Sequence, residues 1–476
     1  MAKEQTITKR SEDYSEWYLD VIKEADLADY GPVRGSMVIK PNGYAIWENI
    51  QKVLNDKFKK SGIENAYFPS LIPEGYLKKE AKHVEGFAPE CFVVTHAGGK
   101  SLEEPLVVRP TSETIIYEMF SRWVTSYRDL PLLMNQWVNV LRSEMRTRLF
   151  LRTSEFLWQE GHTAHATEKE AGERARQMID EYADFAKEYL AMPVFVGEKT
   201  ETERFPGAQT TYTIEGMMQD GKALQSGTSH LLDANFTQAF NIKFLDSDGV
   251  EKFVRSTSWG VSTRIIGGII MTHSDDKGLV LPPKIAPIKA VIIPVYTSDE
   301  EKKIVIFRVE QIAKELRDQN LEVKVDNRDL RPGPKFFEWE KKGVPIRIEI
   351  GPRDVQNNSA IVVRRDNGEK LVVEFDSLAA EVVTLLDRIQ VDIYNRALKF
   401  REEHTTIVSN YDELKKSVST GFAIAHWCGN SECEKKINEE TKATIRCIPF
   451  DQSKSAGKCI YCGKQSAYQV IFARAY

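Results

Sequence analysis

Two short stretches concentrate groups able to hold a polyanion. The first runs Arg142-Ser143-Glu144, then seven residues, then Arg152-Thr153-Ser154-Glu155-Phe156. The second is Gly260-Val261-Ser262-Thr263-Arg264, opening an apolar run. An arginine is charged at any working pH and presents a planar fork of donors that matches phosphate and carboxylate oxygens. Phe156 offers a flat face on which a base stacks. Glu144 lies two residues from Arg142, on the same face if the segment is an extended strand. One such arginine alone reads as a surface ion-pair partner. The ordered set of three, with an aromatic ring beside it, predicts a site for a nucleoside triphosphate.

A second constellation lies near the end of the chain. Four residues separate Cys428 from Cys433 and two separate Cys459 from Cys462, with 25 residues between the pairs. Such pairs, without a secretory signal, read as a metal site and not as disulfides. Four thiolates in a closed tetrahedral shell predict one structural Zn2+ per chain. Cys447 falls between the pairs, either as a core cysteine or as a replacement ligand. Cys91 stands alone.

The order RxE, RxxxF and a late GxxxR before Ile265-Ile266-Gly267-Gly268-Ile269-Ile270 resembles motifs 2 and 3 of class II aminoacyl-tRNA synthetases. Around it, Arg109-Pro110-Thr111-Ser112-Glu113-Thr114 and Trp158-Gln159-Glu160-Gly161-His162-Thr163-Ala164-His165 are similar to strings of prolyl-tRNA synthetases of the archaeal/eukaryotic type. The likeness runs from Tyr30-Gly31-Pro32-Val33-Arg34-Gly35 to Tyr476. It implies ATP-dependent attachment of L-proline to tRNA(Pro) in two steps, through an enzyme-bound prolyl-adenylate. Two rivals are a class II synthetase for another amino acid, such as threonine or serine, and a non-catalytic tRNA-binding paralogue. The Glu160-Gly161-His162 string speaks against the first. The presence of all three arginines speaks against the second.

The resemblance assigns roles residue by residue. Arg142 bridges the α-phosphate and the amino-acid carboxylate, and with Arg264 forms the catalytic pair. Arg152 and Arg264 hold the bent triphosphate, while Phe156 and Arg264 sandwich the adenine. Glu144, Thr153, Gln225, Thr228 and Ser262 complete the ATP site. Mg2+ is expected between phosphates, largely water-bound. Arg146 and Arg148 either touch the acceptor end of tRNA or are simply solvated. For proline, Glu113 and Thr111 meet the ammonium. Trp158, Phe205 and Trp259 wall an apolar slot, and Glu160, His162 and His230 line it. A zinc ion on His162, His165, His230 and Glu160 is the competing reading of those side chains. About 100 residues separate Gln159 from Arg264, too few for the editing domain that bacterial-type prolyl enzymes insert there. A hydrophobic slot discriminates against the smaller alanine by only ~1–3 kcal/mol.

The elements that must position these groups follow from periodicity and punctuation. Helices are predicted over Glu12 to Asp29, Tyr44 to Lys60 and Glu168 to Tyr189. Two strands flank the arginine loop between Val138 and Leu157, and strands recur from Thr210 through Met271. The Tyr44 to Lys60 helix with a strand at Ala66-Tyr67-Phe68-Pro69 resembles motif 1 and implies a homodimer. Three prolines between Leu281 and Pro287 mark a linker. Beyond it, alternating strands and helices resemble an anticodon-binding domain. Between Arg328 and Arg365 nine basic residues outnumber five acidic ones, with Phe336, Phe337 and Trp339 interleaved. That mixture suits single-stranded RNA, and Glu340, Arg347 and Arg353 are the expected base readers. The reading is an α+β chain: an antiparallel-sheet catalytic domain over 1–282, an α/β anticodon-binding domain over 283–385 and a small zinc-binding domain over 386–476.

Bulk properties set outer bounds. A net charge of −5 excludes a globally basic nucleic-acid binder, so RNA contact is local. No apolar run approaches the ~18 residues of a membrane span, and the start is polar, so a cytoplasmic location is expected. The final Tyr468 to Phe472 run predicts that Tyr476 docks, and in similar enzymes the terminal carboxylate approaches the active site.

Overall fold

The computed structural model describes residues 7–81, 91–232, 234–452 and 455–476. Its centre is an 11-stranded sheet. Helices α1 (Tyr14–Glu24) and α2 (Pro41–Lys60) precede it, α2 opening on a proline whose missing N–H costs nothing at a helix start. Then follow β1 (Glu64–Asn65), α3 (Glu113–Trp123), β2 (Leu132–Leu141), β3 (Glu155–His165), α4 (Glu168–Glu188), β4 (Val194–Glu198), β5 (Ala208–Met217), β6 (Ala223–Leu232), β7 (Arg255–Ser262) and α5 (Arg264–His273). The expected motif 1 strand lies two residues early. It is β1, and Ala66 follows it with its N–H on the Asn135 carbonyl at 2.8 Å.

The expected strand through Met271 is instead α5. A continuous apolar run does not tell helix from strand, and here Ile265, Ile266, Ile269 and Ile270 are all buried. With Phe58 and Tyr182 they join one core cluster on the face of the sheet that α2 and α4 cover. Burying each such large side chain stabilises by roughly 1.5–3 kcal/mol. Helix α4 begins with a capping box, Thr167 and Glu170 bonding each other's backbone N–H, which sets its entry onto the sheet.

The second unit holds β8 (Ala290–Pro294), α6 (Asp299–Asp318), β9 (Val323–Val325), α7 (Pro332–Lys341), β10 (Ile346–Ile350), β11 (Ser359–Arg364), β12 (Lys370–Glu374) and α8 (Phe375–Glu403). Its five strands run β9-β8-β10-β11-β12, with β8 parallel to both neighbours. The expected boundary at 385/386 falls inside the 29-residue α8.

The third unit comprises β13 (Thr405–Ile407), α9 (Tyr411–Thr420), β14 (Phe422–His426), α10 (Ser431–Thr441), β15 (Thr444–Pro449) and β16 (Gln469–Ala473). Its strands extend the central sheet, in the order β13-β14-β16-β15-β4-β5-β6-β7-β3-β2-β1. The join is Ile448 opposite Glu198 and Pro449 opposite Gly197. A Cβ on Gly197 would stand 2.3 Å from the Ile448 carbonyl, so only glycine admits this approach.

Candidate active site

Strand β3 lays out the site. Phe156, Trp158, Glu160 and His162 alternate onto one face and line a cavity of about 400 Å³. Gln159 and Gly161 face the other way, where Gln159 takes a hydrogen bond from the Tyr182 hydroxyl. A Cβ on Gly161 would lie 2.1 Å from the Trp259 ring. This refines the expectation for Trp259. It pairs with Gly161 across the ladder, and its ring packs on Phe58 and Tyr182 with centroids 5.1 and 6.5 Å away. Its ring therefore backs the sheet, while Trp259 is still among the residues that line the cavity.

One end of the cavity is cationic. Arg142 lies just past the end of β2, and its Nε donates to the Pro110 carbonyl at 2.9 Å. Its guanidinium carbon sits 5.4 Å from the Phe156 ring and 5.6 Å from Trp158. Arg264 opens α5, with Nε on the Leu151 carbonyl at 3.0 Å. Both are half-buried, and among the described residues neither forms an ion pair. Burial lowers both pKa values, and in Arg264 the charges of Arg142 and Arg152 add to it. Because β2 ends at Leu141, Glu144 does not share a strand face with Arg142. It sits in the loop and takes a 2.6 Å hydrogen bond from Arg152 Nε.

The other end is acidic. Glu113 begins α3 and accepts from the Thr111 hydroxyl. Glu160 accepts from the Ser112 hydroxyl, from Gln136 Nε2 at 2.7 Å and from His162 Nε2 at 3.1 Å. Buried Arg109 fixes this stretch by donating to the Phe68 carbonyl at 2.6 Å and the Asn139 carbonyl at 2.8 Å. Burial, then the Glu160 charge, pushes the Glu113 carboxyl above its usual pKa. In His162 burial acts downward. The Glu160 hydrogen bond and the charges of Glu113 and Glu160 outweigh it and leave the pKa raised. Burial, with the His162 charge, drives His230 down to about 3. Its Nδ1 is 2.9 Å from the Thr211 hydroxyl, and its ring lies 4.7 Å from Phe205.

All seventeen residues expected for ATP or proline, Trp259 included, line this one cavity. Gln225 joins Thr228 and His230 there through a β-bulge. Ile214 pairs with Gly227 and Glu215 with Gln225, so Ser226 is the extra residue that turns Gln225 onto their face. The lining also includes Glu203, Arg204, Pro206, Thr211 and Ser258, which sequence reading missed. Their only signal was position, on the connection beside Phe205 or on facing strands. From Phe156 to His162 the strand advances roughly 20 Å, enough to separate a nucleotide end from an amino-acid end.

The four predicted metal cysteines converge, with all their ligand atoms within 4.8 Å of one another. Cys428 Sγ lies 3.8 Å from Cys433 Sγ and 3.7 Å from Cys462 Sγ. A tetrahedral Zn–S shell of about 2.3 Å bonds needs sulfurs about 3.8 Å apart, so the donors fit zinc. Cys447 is buried in β15 with Ile471 and Phe422, outside that cluster. His162, His165, His230 and Glu160 form no such ligand group among the described residues.

Glu340 and Arg347 line a second cavity of about 130 Å³, whereas Arg353 stands outside it, exposed on a short helix after β10. Trp339 is buried and donates to Asp326, Phe336 packs beneath Arg347, and Phe337 is exposed. Tyr476 docks on the start of β6: its N–H meets the Ala223 carbonyl at 3.1 Å and its hydroxyl Asp220 at 2.6 Å. Its ring lies 5.8 Å from the Arg148 guanidinium of the arginine loop.

An antiparallel sheet that carries one arginine past a strand end and another at a following helix start is the core of a class II aminoacyl-tRNA synthetase. Residues 94–273 match the tRNA synthetase class II core domain (G, H, P, S and T). Residues 289–385 match the anticodon binding domain, and 411–476 match the prolyl-tRNA synthetase C-terminal family. A proline–tRNA ligase of Roseiflexus sp. is 56% identical, over 99% of both chains. One of Porphyromonas gingivalis is 55% identical over the whole of both. A crystal structure of prolyl-tRNA synthetase from Cryptosporidium parvum, complexed with halofuginone and AMPPNP, superposes with a TM-score of 0.94 at 40% identity, covering 99% of each chain. The chain belongs to the prolyl-tRNA synthetases, class II ligases that aminoacylate tRNA(Pro). Among the described residues no helix is long and apolar enough to cross a membrane.

Proposed function

We propose that this cavity activates L-proline by direct attack of its carboxylate on the α-phosphate of ATP, with Arg142 spanning the two anions. The observation that carries the reading is the way Arg142 and Arg264 are held. Each is oriented by a neutral main-chain carbonyl, so its charge is left for a ligand. The nucleophile is already ionised, so no general base is required, and the protein contributes position and charge. Arg152 and Arg264 grip the triphosphate, and Phe156 stacks on the adenine. Glu144, Thr153, Gln225, Thr228 and Ser262 surround the nucleotide. Glu113 and Thr111 receive the proline ammonium. Trp158, Phe205 and His230 flank the ring, and the Glu160–His162 pair fixes the floor. The carboxylate–phosphate bond forms as pyrophosphate leaves. A ribose hydroxyl of tRNA then displaces AMP.

Magnesium would neutralise phosphate oxygens. Glu144, beside Arg152, suits an oxygen-seeking cation reached through water. Zinc on Cys428, Cys433, Cys459 and Cys462 would be structural, since four thiolates leave no open position. We place the domain boundaries at 282/283 and at the end of α8, and dimer formation on α2 and β1. Glu340, Arg347 and Arg353 meet the anticodon, and the setting is cytoplasmic.

Amino-acid-dependent ATP–pyrophosphate exchange across all twenty amino acids tests the reading, with proline expected as the preferred substrate. Equal exchange with another amino acid would overturn it. Metal analysis should find one zinc per chain, lost in Cys459→Ser and kept in Cys447→Ser; loss from the Cys447 variant would reassign the ligands.

A further inference from the structure

Residues 199–206 leave β4 and carry Arg204, Phe205 and Pro206 into the cavity wall. The segment is tied down from two sides. Within the catalytic sheet, the Phe205 N–H donates to the Thr211 hydroxyl at 3.1 Å. From the C-terminal unit, the buried Glu434 carboxylate accepts from the Thr200 hydroxyl at 2.9 Å and the Thr202 hydroxyl at 2.5 Å. Glu434 directly follows Cys433 in the first turn of α10. The backbone that places it is therefore the backbone the cysteine cluster holds.

We propose that Glu434 is a positioning residue of the amino-acid pocket: through Thr200 and Thr202 it fixes the segment that presents Phe205, and zinc at the neighbouring cysteines keeps Glu434 in place. The proposal rests on the reading in which Phe205 walls the proline ring. Its physical ground is that displacing a wall by about 1 Å is enough to degrade binding geometry. A carboxylate accepting two hydroxyls resists such displacement better than a neutral amide, because charged acceptors form the stronger bonds. A metal remote from the chemistry thereby acts on substrate affinity without an open coordination site.

The test is pyrophosphate exchange by the full chain with separate titrations of proline and ATP. Glu434→Gln should raise the KM for proline about tenfold, the loss expected for weakened charge-assisted hydrogen bonds, and leave the KM for ATP within about twofold. Thr200→Val/Thr202→Val should give the same split and add little to Glu434→Gln. Hydrogen exchange should quicken over 199–206 in Glu434→Gln, with its zinc content unchanged, and in chelator-treated native protein. A proline KM that stays constant in Glu434→Gln but rises in Phe205→Ala would overturn the proposal alone. Equal rises for both substrates would overturn it too, by making Glu434 merely structural. An unchanged proline KM in Phe205→Ala would overturn the pocket reading beneath it.

Discussion

The catalytic cavity and the second unit are both rich in arginine, and apart from Arg152, which pairs with Glu144, the cavity holds its arginines in the opposite way to most of those in the second unit. In the cavity, Arg142 and Arg264 are oriented by the Pro110 and Leu151 carbonyls. In the second unit, Arg347 meets Glu349 at 2.9 Å, and Arg364 meets Asp366 and Asp392 at 2.9 and 2.6 Å. Arg365 forks onto Asp275 at 2.7 and 2.9 Å, and Arg328 bridges Asp326 and Glu338. A carbonyl fixes direction and leaves the full positive charge to a ligand. A carboxylate fixes direction and cancels the charge. Counting basic residues cannot separate these cases, so the apparent excess between Arg328 and Arg365 is mostly spent inside the fold.

The largest effect expected from this difference is at Arg142. Arg142→Ala should lower exchange activity by on the order of 10²–10³, as when one preorganised donor is removed from a developing charge, with the melting temperature little changed. Arg142→Lys should recover little, since an ammonium lacks the fork. Near-normal exchange in the alanine variant would dissolve the contrast between the two regions. Next comes Glu113. Glu113→Gln should raise the KM for proline roughly 10–100-fold, the range of one charged hydrogen bond, and barely move that for ATP. Parallel rises would show Glu113 holding structure.

A smaller effect should appear at Arg347. Because Glu349 already neutralises it, Arg347→Ala should change the KM for tRNA by about 1 kcal/mol at most, as for a paired surface charge. Glu349→Gln should do more. It frees one cation, so RNA binding should strengthen at low salt and its salt slope steepen by roughly 0.7 per released charge. An unchanged slope would mean that Arg347 faces away from the phosphates.

The same distinction explains what was legible in the sequence. Phe156, Trp158, Glu160 and His162 could be placed together because strict alternation needs no tertiary information. Gln225 and Thr228 could not be put on one face by counting, since the bulge at Ser226 appears only when β5 is laid beside β6. The direction of the Trp259 ring was not readable, because the face of a strand is settled by its neighbour's register. Glu203, Arg204 and Pro206 come from a connection with no periodicity. The four clustered cysteines were readable from spacing alone. The merging of β15 with β4 was not, since it depends on Gly197 tolerating the Ile448 carbonyl, 251 positions away. Helix α8 hid the second boundary by running straight through it.

The smallest effect concerns histidine, where partner type again decides the charge. His162 faces carboxylates and has a raised pKa, so its contribution to stability is present below the unfolded pKa and is lost as pH rises through the folded one. His273 faces the Leu190 carbonyl at 2.8 Å and is buried. Burial, with the charge of Arg396, drives its pKa to about 4, against the pull of that hydrogen bond. Its sign is the reverse. The unfolded chain binds this proton near pH 6.5 and the folded chain does not, so the contribution is complete above about 6.5 and is lost as pH falls toward 4. The greatest slope is about 1.4 kcal/mol per pH unit. His273→Gln keeps a donor for Leu190 and removes the titration, so its melting temperature should fall less than the native protein's between pH 7 and 5. Residual acid sensitivity should remain, since burial also lowers His165 to about 4 and His230 to about 3. Superimposable pH profiles for native and variant protein would show that His273 is not protonated on unfolding in this range, and that burial without a carboxylate partner does not keep this histidine neutral.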